Sequence, residues 1–260
     1  MNADERRFDQ AVAMARGHVY AFLAAALADP VSKHFELALD KRIQTVAMAA
    51  AQLLADERGP HELDLMPVGR ELAAPREEIA RQHREVFGLL VAKNAPPYET
   101  EYCRSTLTFY RTQQLADIAG FYLAFGLEPN RDDPERQDHI SVELEFMARL
   151  IQKELAAAGP GQAEICRDAQ QKFLADHLAW WAPAFARLLR SASDGLYGAL
   201  GAVLAAFIAG ERTTFRLGPA DELAETQPEP DAPEEESCCE AMPTVSGDAP
   251  RCGLPPLPGA

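Results

Sequence analysis

Three mid-chain residues, Glu135, Asp138 and His139, have the types and spacing to handle charge and protons. Two carboxylates and an imidazole this close together can contact one another or meet an Arg or Lys of a partner. At i, i+3 and i+4 a helix gathers all three on one face. Asp133-Pro134 just before them reads as a helix start. The Asp carboxylate caps free N–H groups, and Pro in the first turn loses nothing by lacking its own. Glu135 then suits the positive end of the helix dipole. Ile140, Leu144, Met147, Ile151 and Leu155 recur at three- and four-residue steps and make the buried face. The expectation is a polar cluster turned away from the core. The plainer alternative is a solvated first turn with a local His–carboxylate contact.

The elements that must position this cluster are helices. A first helix is expected over residues 5–28, ended by Asp29-Pro30, with Tyr20 and Leu23 as core or groove-lining residues. An Ala-rich helix over 35–57 stops at Arg58-Gly59-Pro60. Residues 61–74 read as a loop with a short helical turn, and 75–90 as a third main helix. The loop over 91–103 holds Pro96-Pro97-Tyr98, stiff and extended. Such a loop shapes a peptide groove or tucks its Tyr into the core. A wide apolar face runs along 105–125, and Gly126 is a natural stop. After the cluster-bearing helix, Gly159-Pro160-Gly161 breaks the chain. A helix over 162–181 is interrupted at Trp180-Trp181-Ala182-Pro183 and resumes. Asp194 caps a last helix to about residue 210.

No alternating Val/Ile/Thr run appears, so the fold class is all-α. The expected organisation is an N-terminal helical part (1–125), a joint (126–133), a C-terminal helical part (134–217) and a tail (218–260). The tail is rich in Pro and acids and poor in large apolar residues, too poor to offset chain entropy by burial.

Charge narrows the function. The chain carries a net −15, and the tail holds ten acidic residues against Arg251 alone. Phosphate binding needs clustered Lys and Arg, so no nucleic-acid partner is expected. A cationic or Arg-bearing partner fits. No apolar run reaches membrane-spanning length and the first residues are charged, so a cytoplasmic protein without stable membrane insertion is expected. Five cysteines without scaffold spacing fit reduced thiols.

Enzymatic motifs are missing. The sequence holds no GxGxxG, HExxH, phosphate loop or Glu-x-x-His. Asp138-His139 and Asp176-His177 reverse the His-Asp order of helical metal phosphohydrolases. Swapping neighbours turns each by about 100° around a helix. Cys103 and Cys166 lack a supporting motif. No cofactor is expected. Cys238, Cys239 and Cys252 are low-order candidates for a soft metal or a redox disulfide, against plain exposed thiols. That leaves a metal- or redox-handling assembly factor as the alternative function.

Pro97-Tyr98, Glu101-Tyr102, the run from Leu115 through Tyr122, Phe125-Gly126, Glu135-Arg136-Gln137-Asp138-His139 and Glu143 through Met147 fall in the order seen in one family. The chain resembles the TorD/DmsD/NarJ chaperones of molybdoenzyme maturation over about residues 16–211. Their hinge signature is Glu-Pro-x-Asp-His; here Arg136 stands where Pro is usual. A second pattern, aromatic-x-x-Leu-Phe, is partly kept as Tyr20-Ala21-Phe22-Leu23-Ala24. The resemblance implies a TorD-like helical bundle with a mid-chain hinge and no catalytic residues. It implies a partner: the catalytic subunit of a molybdopterin oxidoreductase, bound by its N-terminal twin-arginine-type leader until its cofactor is in. On that reading Glu135, Asp138 and His139 contact the leader or set the hinge, with Pro97, Tyr98, Tyr20 and Leu23 lining the apolar part and His139 making the contact pH-sensitive. The resemblance also implies that two chains can form a homodimer by exchanging helical halves.

Overall fold

A computed structural model describes residues 3–58, 63–88, 94–103, 108–128 and 135–218, with side chains omitted at 3–6, 56–58 and 108. All of these lie in one compact unit, 1–229. Residues 219–260, with Cys238, Cys239 and Cys252, and most of the joint fall outside the described residues.

The described residues are helical, with a single isolated antiparallel bridge between Tyr98 and His139. The helices are α1 (Ala3–Ala26), α2 (Lys33–Leu39), α3 (Lys41–Arg58), α4 (Met66–Glu71), α5 (Arg76–Phe87), α6 (Thr108–Ala124), α7 (Ile140–Leu155), α8 (Pro160–Phe173), α9 (Ala179–Ala192) and α10 (Leu196–Thr214). A 3₁₀ turn spans Glu99–Glu101, and a π turn, Leu174–Leu178, joins α8 to α9.

α1 is the central element. It packs on α7, α3, α2 and α10, while α9 packs on α10 and α8 on α7. The all-α expectation holds, and one core takes side chains from both sides of the joint. Val19, Tyr20, Phe22 and Leu23 of α1 share it with Leu144, Met147, Ile151, Trp181, Leu204 and Phe207. Each such side chain contributes about 1.5–3 kcal/mol on leaving water. Gly17 lets α1 approach α7: a Cβ there would sit 3.2 Å from Ile151 Cγ2. Gly201 does the same for α10 on α9, where a Cβ would meet the Ala186 carbonyl oxygen at 2.7 Å. A buried ion pair crosses the same core. Arg16 of α1 donates through Nε to Glu211 Oε1 at 2.8 Å and through Nη2 to Glu211 Oε2 at 2.7 Å, and Gln170 accepts from Nη2 at 3.1 Å.

Four local expectations are corrected. The helix read over 35–57 is two helices, because Asp40 is extended (φ −68, ψ 118) and its Oδ1 accepts from Arg42 N at 2.7 Å. The short carboxylate outcompetes helix continuation at that point. The run 160–192 is not interrupted at Trp180–Pro183. Pro183 lies inside α9, and the distortion is the π turn one turn earlier. The last helix is not capped by Asp194. Its N-cap is Gly195, and Gln82 Oε1 of α5 accepts from Leu196 N at 3.1 Å. Most consequential, α7 does not start at Asp133-Pro134. It starts at Ile140, with His139 as N-cap. Gly126 ends α6 as expected. Its φ is +70, and Leu127 N donates to Tyr122 O at 2.9 Å, the glycine-dependent helix stop.

Candidate functional site

The late start of α7 changes the geometry of the Glu135, Asp138 and His139 cluster. Residues 135 and 136 are irregular and 137–138 form a turn. This segment lies against the Pro-aromatic loop. Glu99 N donates to Asp138 O at 2.9 Å, and Ile140 N to Pro97 O at 2.8 Å. Pro97, Tyr98, Asp138 and His139, some forty residues apart in sequence, therefore meet at one place. The Tyr98 and His139 rings make an edge contact with centroids 5.3 Å apart.

Asp138 is fully buried, not turned to water as expected. Its Oδ2 accepts from Thr100 Oγ1 at 2.7 Å and from Arg136 Nη2 at 2.8 Å; its Oδ1 accepts from Arg136 Nε at 3.0 Å. Arg136 also donates from Nη2 to Thr100 Oγ1 at 3.0 Å, and its guanidinium lies 4.1 Å from the Tyr98 ring centroid. Glu135 is exposed, and its Oε1 accepts from Arg136 N at 2.8 Å. Burial first, then the charge of Glu135, raises the Tyr98 phenol.

His139 is buried and caps α7. Its Nδ1 accepts from Ser141 N at 3.2 Å and sits 2.6 Å from Ser141 Oγ. An N-cap is commonly Ser, Thr, Asp or Asn; here an imidazole nitrogen does the same task. Burial, then the charges of His83 and Arg136, pushes His139 down to about 3, so it stays neutral. The expected pH sensitivity through His139 is thereby corrected.

A second buried cluster lies behind the first and shares Glu99. Glu99 accepts from Trp180 Nε1 at 2.9 Å and from Gln114 Nε2 at 2.7 Å. His177 Nδ1 is 3.1 Å from Glu99 Oε2, and its Nε2 is 3.3 Å from Asp117 Oδ2. Burial opposes a charge on His177, but contact with Asp117 and Glu99 wins and carries it up to about 9. Glu143 of α7 is fully buried and accepts from Trp181 Nε1 at 3.2 Å. Burial, then the nearby Glu99 charge, pushes its carboxyl well above the usual carboxylate range. The sequence reading missed Glu99, Glu143 and His177. The signal for Glu143 was present: it sits in register with Ile140, Leu144 and Met147 on the buried stripe, where an acid needs a partner. The π turn that carries His177 has no comparable sequence mark.

Tyr20 and Leu23 are elsewhere. Both are fully buried, with Tyr20 edge-on to Phe207 at 4.6 Å, so they occupy the core and not the surface around Tyr98. Cys103 and Cys166 are free. Burial first, then Glu99, drives the Cys103 thiol up to about 11, and burial raises Cys166 as well. Activated nucleophiles move the other way. Among the described residues, no group of three His, Cys, Asp or Glu is placed to hold a metal ion.

The described residues form an all-helical body in which the 97–99 loop pairs through its backbone with the 138–140 segment. The family model described as nitrate reductase delta subunit matches residues 39–187, more than half of the chain. The chain belongs to this family, as the residue pattern led us to expect. It is 35% identical over 149 residues to a selenate reductase assembly chaperone protein of Thauera selenatis, covering 53% of this chain and 76% of that one. It is 35% identical over 124 residues to a chlorate reductase assembly chaperone protein of Ideonella dechloratans, covering 44% and 63%. It is 30% identical over 133 residues to a chaperone protein TorD of Vibrio cholerae, covering 50% and 59%. The chain thus spans less than two thirds of the last two relatives. Among the described residues, no helix is long and apolar enough to cross a membrane.

Proposed function

We propose that this chain is a non-catalytic assembly chaperone for a molybdopterin-containing reductase. It binds the N-terminal, twin-arginine-type leader of the catalytic subunit in the cytoplasm and holds it until the cofactor is inserted. The names of the relatives, all reductase assembly chaperones or TorD, support the class. The observation that carries the site is the backbone pairing of 97–99 with 138–140. It sets an aromatic face, Tyr98, beside an exposed carboxylate, Glu135, with Asp138 immediately behind. A leader of paired arginines followed by apolar residues is complementary to that arrangement. On this reading Glu135 and Tyr98 meet the leader directly. Pro97 and His139 act as positioning residues: Pro97 through its carbonyl to Ile140 N, and His139 as the cap of α7.

The test is titration of a synthetic peptide, two arginines followed by an apolar run, against the full chain. Wild type is expected to bind it, more weakly as salt rises. A Tyr98→Ala/Glu135→Gln variant is expected to lose at least about tenfold in affinity, one or two side-chain contacts of about 1.4 kcal/mol. Equal affinity in a folded variant removes the site, and no binding by wild type removes the leader-binding reading.

A further inference from the structure

Arg136 is the residue that departs from the family hinge signature, and the structure shows where it goes. Its guanidinium makes a forked contact with Asp138, 3.0 Å from Nε to Oδ1 and 2.8 Å from Nη2 to Oδ2. Thr100 Oγ1 accepts from it at 3.0 Å, and the Tyr98 ring lies 4.1 Å beneath it. Planar fork, carboxylate, second acceptor and aromatic face are the full set that distinguishes a guanidinium seat from a simple ion pair. The seat is built into the protein. Asp138 has no exposed surface, and its carboxylate is held from behind by the hydroxyl and N–H of Thr100 at 2.7 and 3.3 Å.

The occupant is not built in to the same degree. The Arg136 side chain is 47% exposed against 0% for Asp138. It comes from an irregular segment outside any helix, so it can swing into water without disturbing the packing of α6 or α7. We propose that Tyr98, Thr100 and Asp138 form a guanidinium-binding subsite that the chain fills with its own Arg136, and that an arginine of the partner's N-terminal segment takes the seat by displacing it. The identity of the displacing group rests on the function proposed above; the subsite does not.

The exchange is balanced in its polar part. One charged fork leaves Asp138 and an equivalent one arrives, so the buried carboxylate is never left unpaired for long, the costly alternative. The net drive must then come from the apolar residues that follow the arginine. Because Arg136 is only two residues from Asp138, its local concentration at the seat is high, and it lowers the apparent affinity of every arginine-only ligand. The device favours a segment that brings an arginine together with an apolar run over any isolated arginine on a protein surface.

The experiment empties the seat and refills it. In Arg136→Ala the melting temperature is expected to fall, and millimolar methylguanidinium is expected to restore it saturably. Methylammonium at equal ionic strength lacks the fork and is expected to fail. Wild type should not respond to either, and an Arg136→Ala/Asp138→Asn variant should lose the rescue. Absence of saturable rescue overturns the subsite. The occupant is read separately: Arg136→Ala should bind the arginine-bearing apolar peptide about tenfold more tightly than wild type, and a lysine-substituted peptide should show no such gain. Rescue without a change in peptide affinity overturns the displacement. Peptide binding to neither protein overturns the proposed function, while the methylguanidinium arm still decides the subsite. If Arg136→Ala does not fold, Arg136→Lys keeps the charge and lacks the fork; it should show the same tighter peptide binding, and an unchanged affinity there refutes the proposal.

Discussion

Replacing His177 by Gln tests the electrostatics behind the site. His177 is fully buried between Glu99 and Asp117, and their contacts carry its imidazole from 6.5 to about 9 in the folded protein. Its chain neighbour Asp176 also interacts with its charge. A group that binds its proton more tightly when folded stabilises the fold wherever the unfolded chain is also protonated, below about pH 6.5. That stability is lost as pH rises through about 9. The rise is worth roughly 3 kcal/mol at about 1.36 kcal/mol per pH unit. Asp117 is 61% exposed, so its share is screened by salt, whereas the buried Glu99 share is not. The assay is urea unfolding of wild type and His177→Gln at several pH values between 6 and 9.5. Glu143 also binds a proton more tightly when folded, so the wild-type slope contains both groups, and the difference between the two proteins isolates His177. That difference is expected to be near 3 kcal/mol at pH 6 and to close toward zero above pH 9, with only part of it removed by 1 M salt. A gap that stays constant across this range would falsify the assignment of a buried imidazolium.

Other perturbations follow from the same accounting. Arg16→Met leaves Glu211 buried without its guanidinium and is expected to cost about 3–5 kcal/mol in urea unfolding. Arg16→Met with Glu211→Leu should recover most of that loss, and a double variant as unstable as the single one would count against the buried-charge explanation. Glu143→Gln keeps an acceptor for Trp181 and replaces a carboxyl whose proton is held more tightly by burial, so stability at pH 7 is expected to change by less than about 1 kcal/mol. A loss of several kcal/mol would mean that Glu143 is ionised.

The helices were legible because their apolar spacing is local information, and the Pro and Gly stops at Asp29-Pro30 and Gly126 acted as read. The joint was not, and the reason is physical. Asp133-Pro134-Glu135 satisfies local helix-start rules, but Asp138 O accepts from Glu99 N and Ile140 N donates to Pro97 O, backbone bonds to a loop some forty residues upstream. Asp133-Pro134 lie outside the described residues, and the cap of α7 is His139, beside this long-range pairing. The family resemblance grouped Tyr98, Asp138 and His139, and the fold brings these three together. It could not say that Asp138 would be buried under Arg136, because that depends on the one residue that departs from the signature. Tyr20 and Leu23 follow the commoner rule that aromatic and aliphatic residues at helical spacing belong to the core.

The two buried clusters are mechanically one device, and Glu99 is the link. Its backbone N–H holds Asp138 O, which fixes the surface segment that carries Glu135 and Arg136. Its side chain takes Trp180, Gln114 and His177, which belong to α9, α6 and the π turn. Apolar contacts tolerate sliding; a buried carboxylate with three directed partners does not, because any displacement leaves a charge or an N–H unsatisfied at a cost of about 1–3 kcal/mol each. A displacement of α6 or of the π turn therefore strains the Glu99 contacts, and α6 also meets the 135–138 segment directly, through Tyr122 OH to Gln137 O at 2.8 Å and Gln137 Nε2 to Leu115 O at 2.7 Å. The converse holds too: a ligand that moves the 97–99 segment must strain the His177 contacts. Movement of the 97–99 segment and the packing of α6 are coupled by this geometry, because Glu99 holds Asp138 O with its backbone and Gln114 with its side chain.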